Sequence, residues 1–316
     1  MSSSSPSRPS RPAPARQASQ RDRFARVLAF IDENLDDELT VERLSEVADF
    51  SKYHFHRQFS AHVGTGVHKY VRLLRLKRAS HRLAFRVDET VTDIALDSGY
   101  DSNEGFARAF RKTFGQSPSE FRARPDWLRW EEIYRSLKAG MAGKLREAQV
   151  SGRGAGEIRV VQVETTPIAV LEHRGDPRQL GDSLRRFIRW RKQARLPPAT
   201  SATFNLLYDD PHETPPEHYR FDIAAATTAA LDGAASSHGI IRKIIPGGRC
   251  AVRRLIGSDD GLGEAVTRLY SEWLPTTAYE PRDFPLYLQR VRFFPDVPEH
   301  EAVTDIHLPL QESRMV

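Results

Sequence analysis

One cysteine, Cys250, occurs in 316 residues. No internal disulfide can form and a zinc site built on cysteine thiolates is excluded, which leaves a small buried side chain as the plain reading. Long apolar runs are missing as well: nothing approaches the ~18 residues that a membrane-spanning helix needs. The opening MSSSSPSRPSRPAPARQASQR holds Arg, Ser and Pro where a secretory signal would be apolar. Residues 1–22 therefore read as a disordered basic arm, and the chain is expected in the cytoplasm with no membrane partner. Catalytic signatures are equally scarce, with no G-x-S-x-G elbow, no H-E-x-x-H helix and no His, Asp and Glu cluster at metal-ligand spacing. His54 and His56 stand two apart on a helix and face different directions, so they do not make a metal site together. The G-x-G-x-G of residues 152–156 follows no strand and opens no periodic helix, so it does not read as a phosphate loop. The expectation is a protein without catalytic residues, metal or cofactor.

Negative charge is absent from one long window. Residues 50–87 hold no Asp or Glu, while Lys52, Arg57, Lys69, Arg72, Arg75, Lys77, Arg78, Arg82 and Arg86 all fall inside, although the whole chain carries only +5. Cations without carboxylates repel one another unless something neutralises them, which points to a polyanion partner rather than an ordinary solvated face.

The window sits inside a duplication. Val41 and Leu44 recur as Val91 and Ile94 fifty residues on; after one extra residue, Phe55, Phe59, Val63 and Gly64 recur as Phe106, Phe110, Phe114 and Gly115, and Arg57 matches Arg108. Each copy reads as two short helices around a tight turn, with Thr40 and Thr90 capping the first helix and Ser51 and Ser102 the second. Two helices so joined form a helix-turn-helix unit whose second helix enters the DNA major groove. Phe55, Phe59 and Val63 face inward at i, i+4, i+8, so Tyr53, His56 and Arg57 point outward, where bases would be read. Between the copies, residues 67–85 read as one helix. About twenty residues at 1.5 Å each span ~30 Å, close to the ~34 Å between successive major grooves on one face of B-DNA. One monomer can thus place two recognition helices in adjacent grooves. The spacer's cations, Lys77 and Arg78 among them, are expected on phosphates, and any phosphate contact at Ser51 and Ser102 is expected through backbone amides.

Residues 23–124 resemble the DNA-binding region of the AraC/XylS transcription regulators. The second unit carries the family signature in Ile94-Ala95, Gly99-Tyr100, Phe106, Phe110, Phe114-Gly115, Ser117-Pro118 and Phe121-Arg122. The resemblance implies base reading from Tyr53, His56 and Arg57 in the first unit and from Asn103, Glu104 and Arg108 in the second. Arg57 leads, because Arg pairs bidentately with guanine. His56 stands where relatives often carry Gln. Gly105 and Ala107 stand where longer side chains are common, so the second helix is expected to read fewer bases.

A helix is expected over residues 126–145, followed by a Gly-rich polar stretch at 149–157. Residues 126–157 thus read as helix and linker between a domain at 23–125 and another at 158–312. Beyond the linker the period turns from helical to alternating. A second duplication appears at an offset of 82: Gly181 matches Gly263, and Pro216-Glu217-His218 matches Pro298-Glu299-His300. The unit reads strand (168–173), helix (181–195), strand (203–208), strand (219–226), and again strand (249–255), helix (262–274), strand (286–293), strand (304–310). Two β-α-β-β units about a pseudo-twofold axis make an α+β domain with a cleft between its halves. The chain as a whole is expected to be multidomain, an all-α tandem helix-turn-helix domain followed by this α+β domain.

Residues 158–311 resemble the GyrI-like effector-binding domain, on His173-Arg174-Gly175, Tyr208-Asp209-Asp210-Pro211, Arg220-Phe221-Asp222 and Ile245-Pro246-Gly247-Gly248-Arg249. The resemblance implies a small-molecule effector. It also implies that relatives binding cationic aromatics place a buried Glu in strand 285–290, where this chain has Leu288 with Arg290 on the same strand face. A desolvated cation would then lack compensation, whereas Arg290 either pairs with an anionic ligand or is taken up by solvent or a nearby acid. A neutral or anionic effector is expected, held by Phe204, Leu206, Tyr208, Trp273, Tyr287, Leu288 and Arg290, with core packing as the competing role for Trp273. The expected function is a cytoplasmic regulator of double-stranded DNA, with RNA polymerase as a further partner, whose effector modulates DNA binding or activation. Two rivals stand beside it: a GyrI-like hydrolase using Tyr and Glu in the cleft, against which Leu288 argues, and a sequestering binder merely localised to DNA.

Overall fold

The structure is a computed structural model that describes residues 20–140, 157–211, 213–231 and 233–312. Residues 1–19 of the expected arm and 141–156 of the expected helix and linker lie outside the described residues. The N-terminal half is helical: α1 (Gln20–Glu33), α2 (Val41–Val47), α3 (Lys52–Val63), α4 (Val67–Phe85), α5 (Val91–Asp97), α6 (Asn103–Phe114), α7 (Pro118–Ala123) and α8 (Trp127–Gly140). Sequence chemistry sets the boundaries. The hydroxyls of Thr40, Ser51, Thr90 and Ser102 each accept a backbone N–H of the first turn, and α3 and α6 both stop at a left-handed glycine, Gly64 and Gly115.

Each helix-turn-helix has its own core. Phe24, Leu28, Ile31, Leu44, Phe55, Phe59 and Val63 fill the first, and Leu83, Ile94, Phe106, Phe110, Phe114 and Phe121 fill the second. The spacer α4 enters both, with Val67 and Tyr70 in one and Leu73 and Leu76 in the other. It also answers what neutralises its own cations. Arg75 donates to the carbonyls of Leu35 and Asp37 at 2.9 and 2.8 Å, Arg78 pairs with Asp36 and donates to the Asp97 carbonyl at 3.0 Å, and Arg82 pairs with Glu89 and Asp97 at 2.6 and 2.7 Å. The acids missing from the window arrive from the loop before α2, from the loop after α4 and from α5. Arg75 and Arg78 bridge the first unit's entry loop to the second unit's turn, so they fix the separation of the two recognition helices.

The C-terminal half contains β1 (Arg159–Val163), β2 (Thr166–Arg174), α9 (Leu180–Gln193), β3 (Thr203–Leu207), β4 (Arg220–Ala226), α10 (Gly233–Ser237), β5 (Ile240–Ile245), β6 (Gly248–Ile256), α11 (Leu262–Arg268), β7 (Tyr279–Pro281), β8 (Leu286–Arg292) and β9 (Val303–Glu312). Among the described residues they form one antiparallel sheet in the order β1-β6-β9-β8-β3-β4-β2-β5, with β7 added beside β9. The two expected β-α-β-β units are present, and they meet where β3 pairs β8. Sequence reading left out β5 and its exchange with β1. Each precedes one unit yet pairs with the first strand of the other, β1 with β6 and β5 with β2. Residues 164–165 join β1 to β2, and residues 246–247 join β5 to β6, across the whole width of the sheet order. Such short links span only ~7–10 Å of extended chain, so the sheet must curl until its two ends approach.

The links cross at Gly247, whose N–H donates to Thr165 Oγ1 at 3.0 Å. A Cβ there would stand 2.8 Å from the Thr165 backbone nitrogen, so only glycine allows the crossing. The helices α9 and α11, with Leu269 just after α11, cover the outer face through Phe187, Trp190, Ala265 and Leu269. The inner, concave face closes partly on itself, gathering Ile168, Val170 and Ala224 from one half with Cys250, Val252 and Tyr287 from the other. Cys250 is buried there.

Candidate nucleic-acid interface and effector face

The outward positions of α3 and α6 are open. Tyr53 is 79% exposed, and His56, Arg57, Glu104 and Arg108 are exposed as well. Asn103 is exposed but donates to Thr92 Oγ1 at 2.8 Å, a contact it must give up to read a base with that amide. Ser51 and Ser102 spend their hydroxyl acceptors on Tyr53 and Gly105 N–H groups, in line with capping. Lys69 and Arg72 are exposed on the first half of α4, and no ion pair holds them among the described residues. Arg78 is a correction to the expectation of a free phosphate ligand: only 12% of its side chain is exposed, and its guanidinium is committed to Asp36 and the Asp97 carbonyl.

On the sheet, strand alternation sorts the expected effector residues into two groups. The pairing Glu172↔Asp222, Asp222↔Leu206, Leu206↔Tyr287, Tyr287↔His307 and His307↔Val252 draws one row across the concave face. Leu206 and Tyr287 lie in that row, and Phe204 and Tyr208 flank it on the same face. Leu288 and Arg290 point the other way, because they are one residue out of phase with Tyr287 and Gln289. Leu288 is fully buried under the helices with Trp273 beside that cluster, so these two are core residues and do not line the concave face. Arg290 is taken up by protein: it donates to Asn205 at 2.9 Å, to Asp259 at 2.5 Å and to Thr304 at 3.2 Å. The argument for an anionic effector therefore loses the residue that carried it. Likewise, Leu288 says nothing about acids in the cleft.

The acids are present, supplied by β2 and β4. Asp222 is fully buried and accepts from Lys243 at 2.6 Å, Tyr208 at 2.8 Å and Arg174 at 3.0 Å, while Glu172 accepts from Lys243 at 2.6 Å and Arg174 at 2.7 Å. Arg174, Arg220 and Lys243 all lie over the Tyr208 ring at 5.4–5.7 Å. Burial works against charge on Lys243, but its hydrogen bonds to Asp222 and Glu172 outweigh it and hold the ammonium up at about 12. The Lys243 hydrogen bond lowers Glu172, and burial together with Asp222 raises Tyr208. Each of these shifts moves the group's titration further from pH 7, so Lys243 and Glu172 stay charged, Tyr208 stays a neutral phenol, and the cluster is a set of satisfied pairs rather than a poised acid and base. Sequence reasoning missed Glu172, Asp222 and Lys243, although the period-2 alternation from Ile168 would have aligned Glu172 with Val170.

Comparison with known proteins decides the family. Residues 156–311 match the GyrI-like small molecule binding domain and residues 44–124 a helix-turn-helix domain. The probable transcriptional regulator YgiV of Escherichia coli K12 is 32% identical over 155 residues, 49% of this chain and 96% of its own. The chain belongs to the AraC-type regulators that carry a GyrI-like domain. YbfP, an uncharacterized HTH-type transcriptional regulator of Bacillus subtilis, is 36% identical over 97 residues, 31% of this chain and 32% of its own. A solved EcmrR–DNA complex is 12% identical over 86% of this chain and 99% of that chain, with a TM-score of 0.41.

In this regulator the GyrI-like domain docks on the AraC-type spacer helix. Lys77 Nζ donates to both Glu299 oxygens at 2.7 and 2.9 Å, and Ser258 adds a third bond to Glu299 at 2.7 Å. Lys77 is thus corrected as well: only 14% of its side chain is exposed, and it serves the domain interface instead of phosphate. Burial opposes both charges of this pair, yet Lys77 with the Ser258 hydroxyl lowers Glu299, and Glu299 with the nearby acids Asp260 and Asp32 raises Lys77. Around it, Arg86 pairs with Asp296, Lys192 with Asp88 at 2.5 Å, and Arg185 donates to the carbonyls of Arg122 and Ala123 at 2.7 and 3.1 Å. Gly181 lies flat on Trp127, where a Cβ would come within 2.4 Å of the indole. The His81 ring sits between Trp130 and Phe294, with centroids 5.0 and 4.9 Å away.

Burial pushes the His81 imidazole down from 6.5 to about 4. A neutral ring in the folded state against an ordinary one in the unfolded chain gives stability that is complete above pH 6.5 and lost as the pH falls toward 4. At pH 5 the loss from this ring should be about 2 kcal/mol. Urea unfolding at pH 7 and pH 5 should show that much less pH dependence in His81→Phe than in the wild type; equal losses would remove His81 as the cause.

Proposed function

We propose that the regulator reads DNA through Tyr53, His56 and Arg57 of α3 and Asn103, Glu104 and Arg108 of α6. Lys52, Lys69 and Arg72, in place of Lys77 and Arg78, would neutralise phosphates. The supporting observation is that the two recognition helices are exposed on one body whose spacing α4, Arg75 and Arg78 fix, while the docking contacts fall on α4, α7, α8, the loop after α4 and, through His300 against the Asp32 carbonyl at 3.1 Å, α1. An effector on the concave face would shift the docking of the GyrI-like domain on α4 and so bias how α3 and α6 engage a site, which requires different affinity for two arrangements. RNA polymerase contact belongs to the activating branch of this reading, and the protein acts as a non-enzymatic cytoplasmic factor. The satisfied ion pairs around Asp222 favour a binding face over the hydrolase alternative.

A binding selection of genomic fragments on the purified chain at physiological salt tests the reading. An enriched motif of two blocks about one helical turn apart is expected, with affinity falling by a log–log slope of about −0.9 per neutralised phosphate. Retention without a motif would overturn sequence-specific reading and leave the sequestering alternative.

A further inference from the structure

On the concave face His307 is 7% exposed, and neither of its ring nitrogens has a hydrogen-bond partner in the described structure. Buried imidazoles are ordinarily paired, and one left without a partner at either nitrogen is rare. Its ring stacks on Tyr287, with centroids 4.6 Å apart and planes 11° off parallel. No neighbour on this face hydrogen-bonds either nitrogen. Tyr287 and Val252 flank it across the strands, and along β9 stand Pro309 and Asp305. Asp305 is held bidentately by Arg254 at 2.7 Å. The Tyr287 hydroxyl is engaged with Cys250 Sγ at 3.7 Å. A trapped water needs two to four polar partners, and this surround supplies few beyond the imidazole itself.

We propose that His307 is the polar subsite of the effector face and takes a neutral planar ligand that offers both a hydrogen-bond donor and a hydrogen-bond acceptor. The inference rests on the reading of the concave face as the effector site. The chemistry follows from the ring's charge state. Burial pushes the imidazole down to about 4, so near neutrality it carries one N–H donor and one bare acceptor nitrogen. A cation with donors only would leave the N–H unanswered, and an anion with acceptors only would leave the bare nitrogen unanswered. An amide-like or lactam edge answers both, and a flat ring behind it extends the Tyr287 stack. The far end of the row lies three strand intervals from His307 at Asp222 and four at Glu172. At ~4.8 Å per strand interval the two polar ends are about 14 Å apart at Asp222 and about 19 Å at Glu172.

Benzamide, benzoate and benzamidinium share one shape and differ in charge and in offering both kinds of group, acceptors only or donors only. Titrating each into the full chain with 15N-labelled histidine should move the His307 nitrogen signals most strongly with benzamide, at an affinity about tenfold or more above the other two. The signal is assigned by its loss in His307→Phe, which keeps the stacked ring and should abolish the preference. His307→Gln, with its own donor and acceptor, should restore part of it. The proposal is overturned if benzamide leaves the His307 signals unmoved, if either ion binds as tightly, or if His307→Phe keeps the preference. A mobility-shift assay run beside the titration separates the two readings. Benzamide bound at His307 with DNA affinity unchanged would leave the subsite standing and break its link to regulation.

Discussion

Glu299→Ala should loosen the docked arrangement by about 2–3 kcal/mol, below the ~3–5 kcal/mol for a fully buried pair because Glu299 keeps 29% exposure. The substitution leaves the Lys77 ammonium against Phe294 and α4 without its carboxylate, and Ser258 loses its acceptor too. Trp127 and Trp130 stand at this interface, so their fluorescence reports it directly. In urea the variant should release these two indoles at a lower midpoint than the wild type, before the helical core melts. The double replacement Lys77→Leu with Glu299→Leu should recover most of the loss, since an apolar pair removes both desolvated charges together. If Glu299→Ala alone matches the wild-type midpoint, the pair does not hold the domains. If docking controls DNA engagement, Glu299→Ala should also change site affinity and leave the preferred motif intact.

Arg57→Ala acts on the other half of the mechanism and should cost about 1–3 kcal/mol of discrimination at the preferred site, the worth of a bidentate guanine contact. Binding to unrelated DNA should weaken little. Arg72→Ala, at an exposed cation on α4, should weaken all sequences alike and reduce the salt slope by about 0.9. Competition binding of both variants against site and non-site duplexes separates the roles. Equal effects on both duplexes from both variants would show that neither residue reads bases.

Both duplications were legible in the chain because each repeat unit buries its own face: the Phe stripe of α3 and α6 and the alternation of the strands are local periodicities. The capping hydroxyls at Thr40, Ser51, Thr90 and Ser102 are just as local, and helix boundaries followed them. The roles of the long polar side chains were not legible. Lys77, Arg78 and Arg290 are each a flexible cation whose partner lies far off in sequence, 222 residues away for Lys77 and 42 for Arg78. Nothing in the cationic window signalled that loops and a second domain would supply its carboxylates. For Leu288 the phase mattered more than the type, since a shift of one residue along β8 exchanges the concave face for the helical one.

The sequence by itself determined the family, the two-domain order and the elements of both repeats, because short-range periodicity, caps and turns specify those. The tertiary structure alone decided which surface is free. The exchange of β1 and β5 curls the sheet until the links meet at Gly247, and this closure sets the row from Glu172 to His307 along one concave face. Docking on α4 takes Lys77 out of reach of DNA and leaves Arg57, Lys69 and Arg72 exposed. Burial and pairing are properties of distant chain segments brought together, and no local pattern records them.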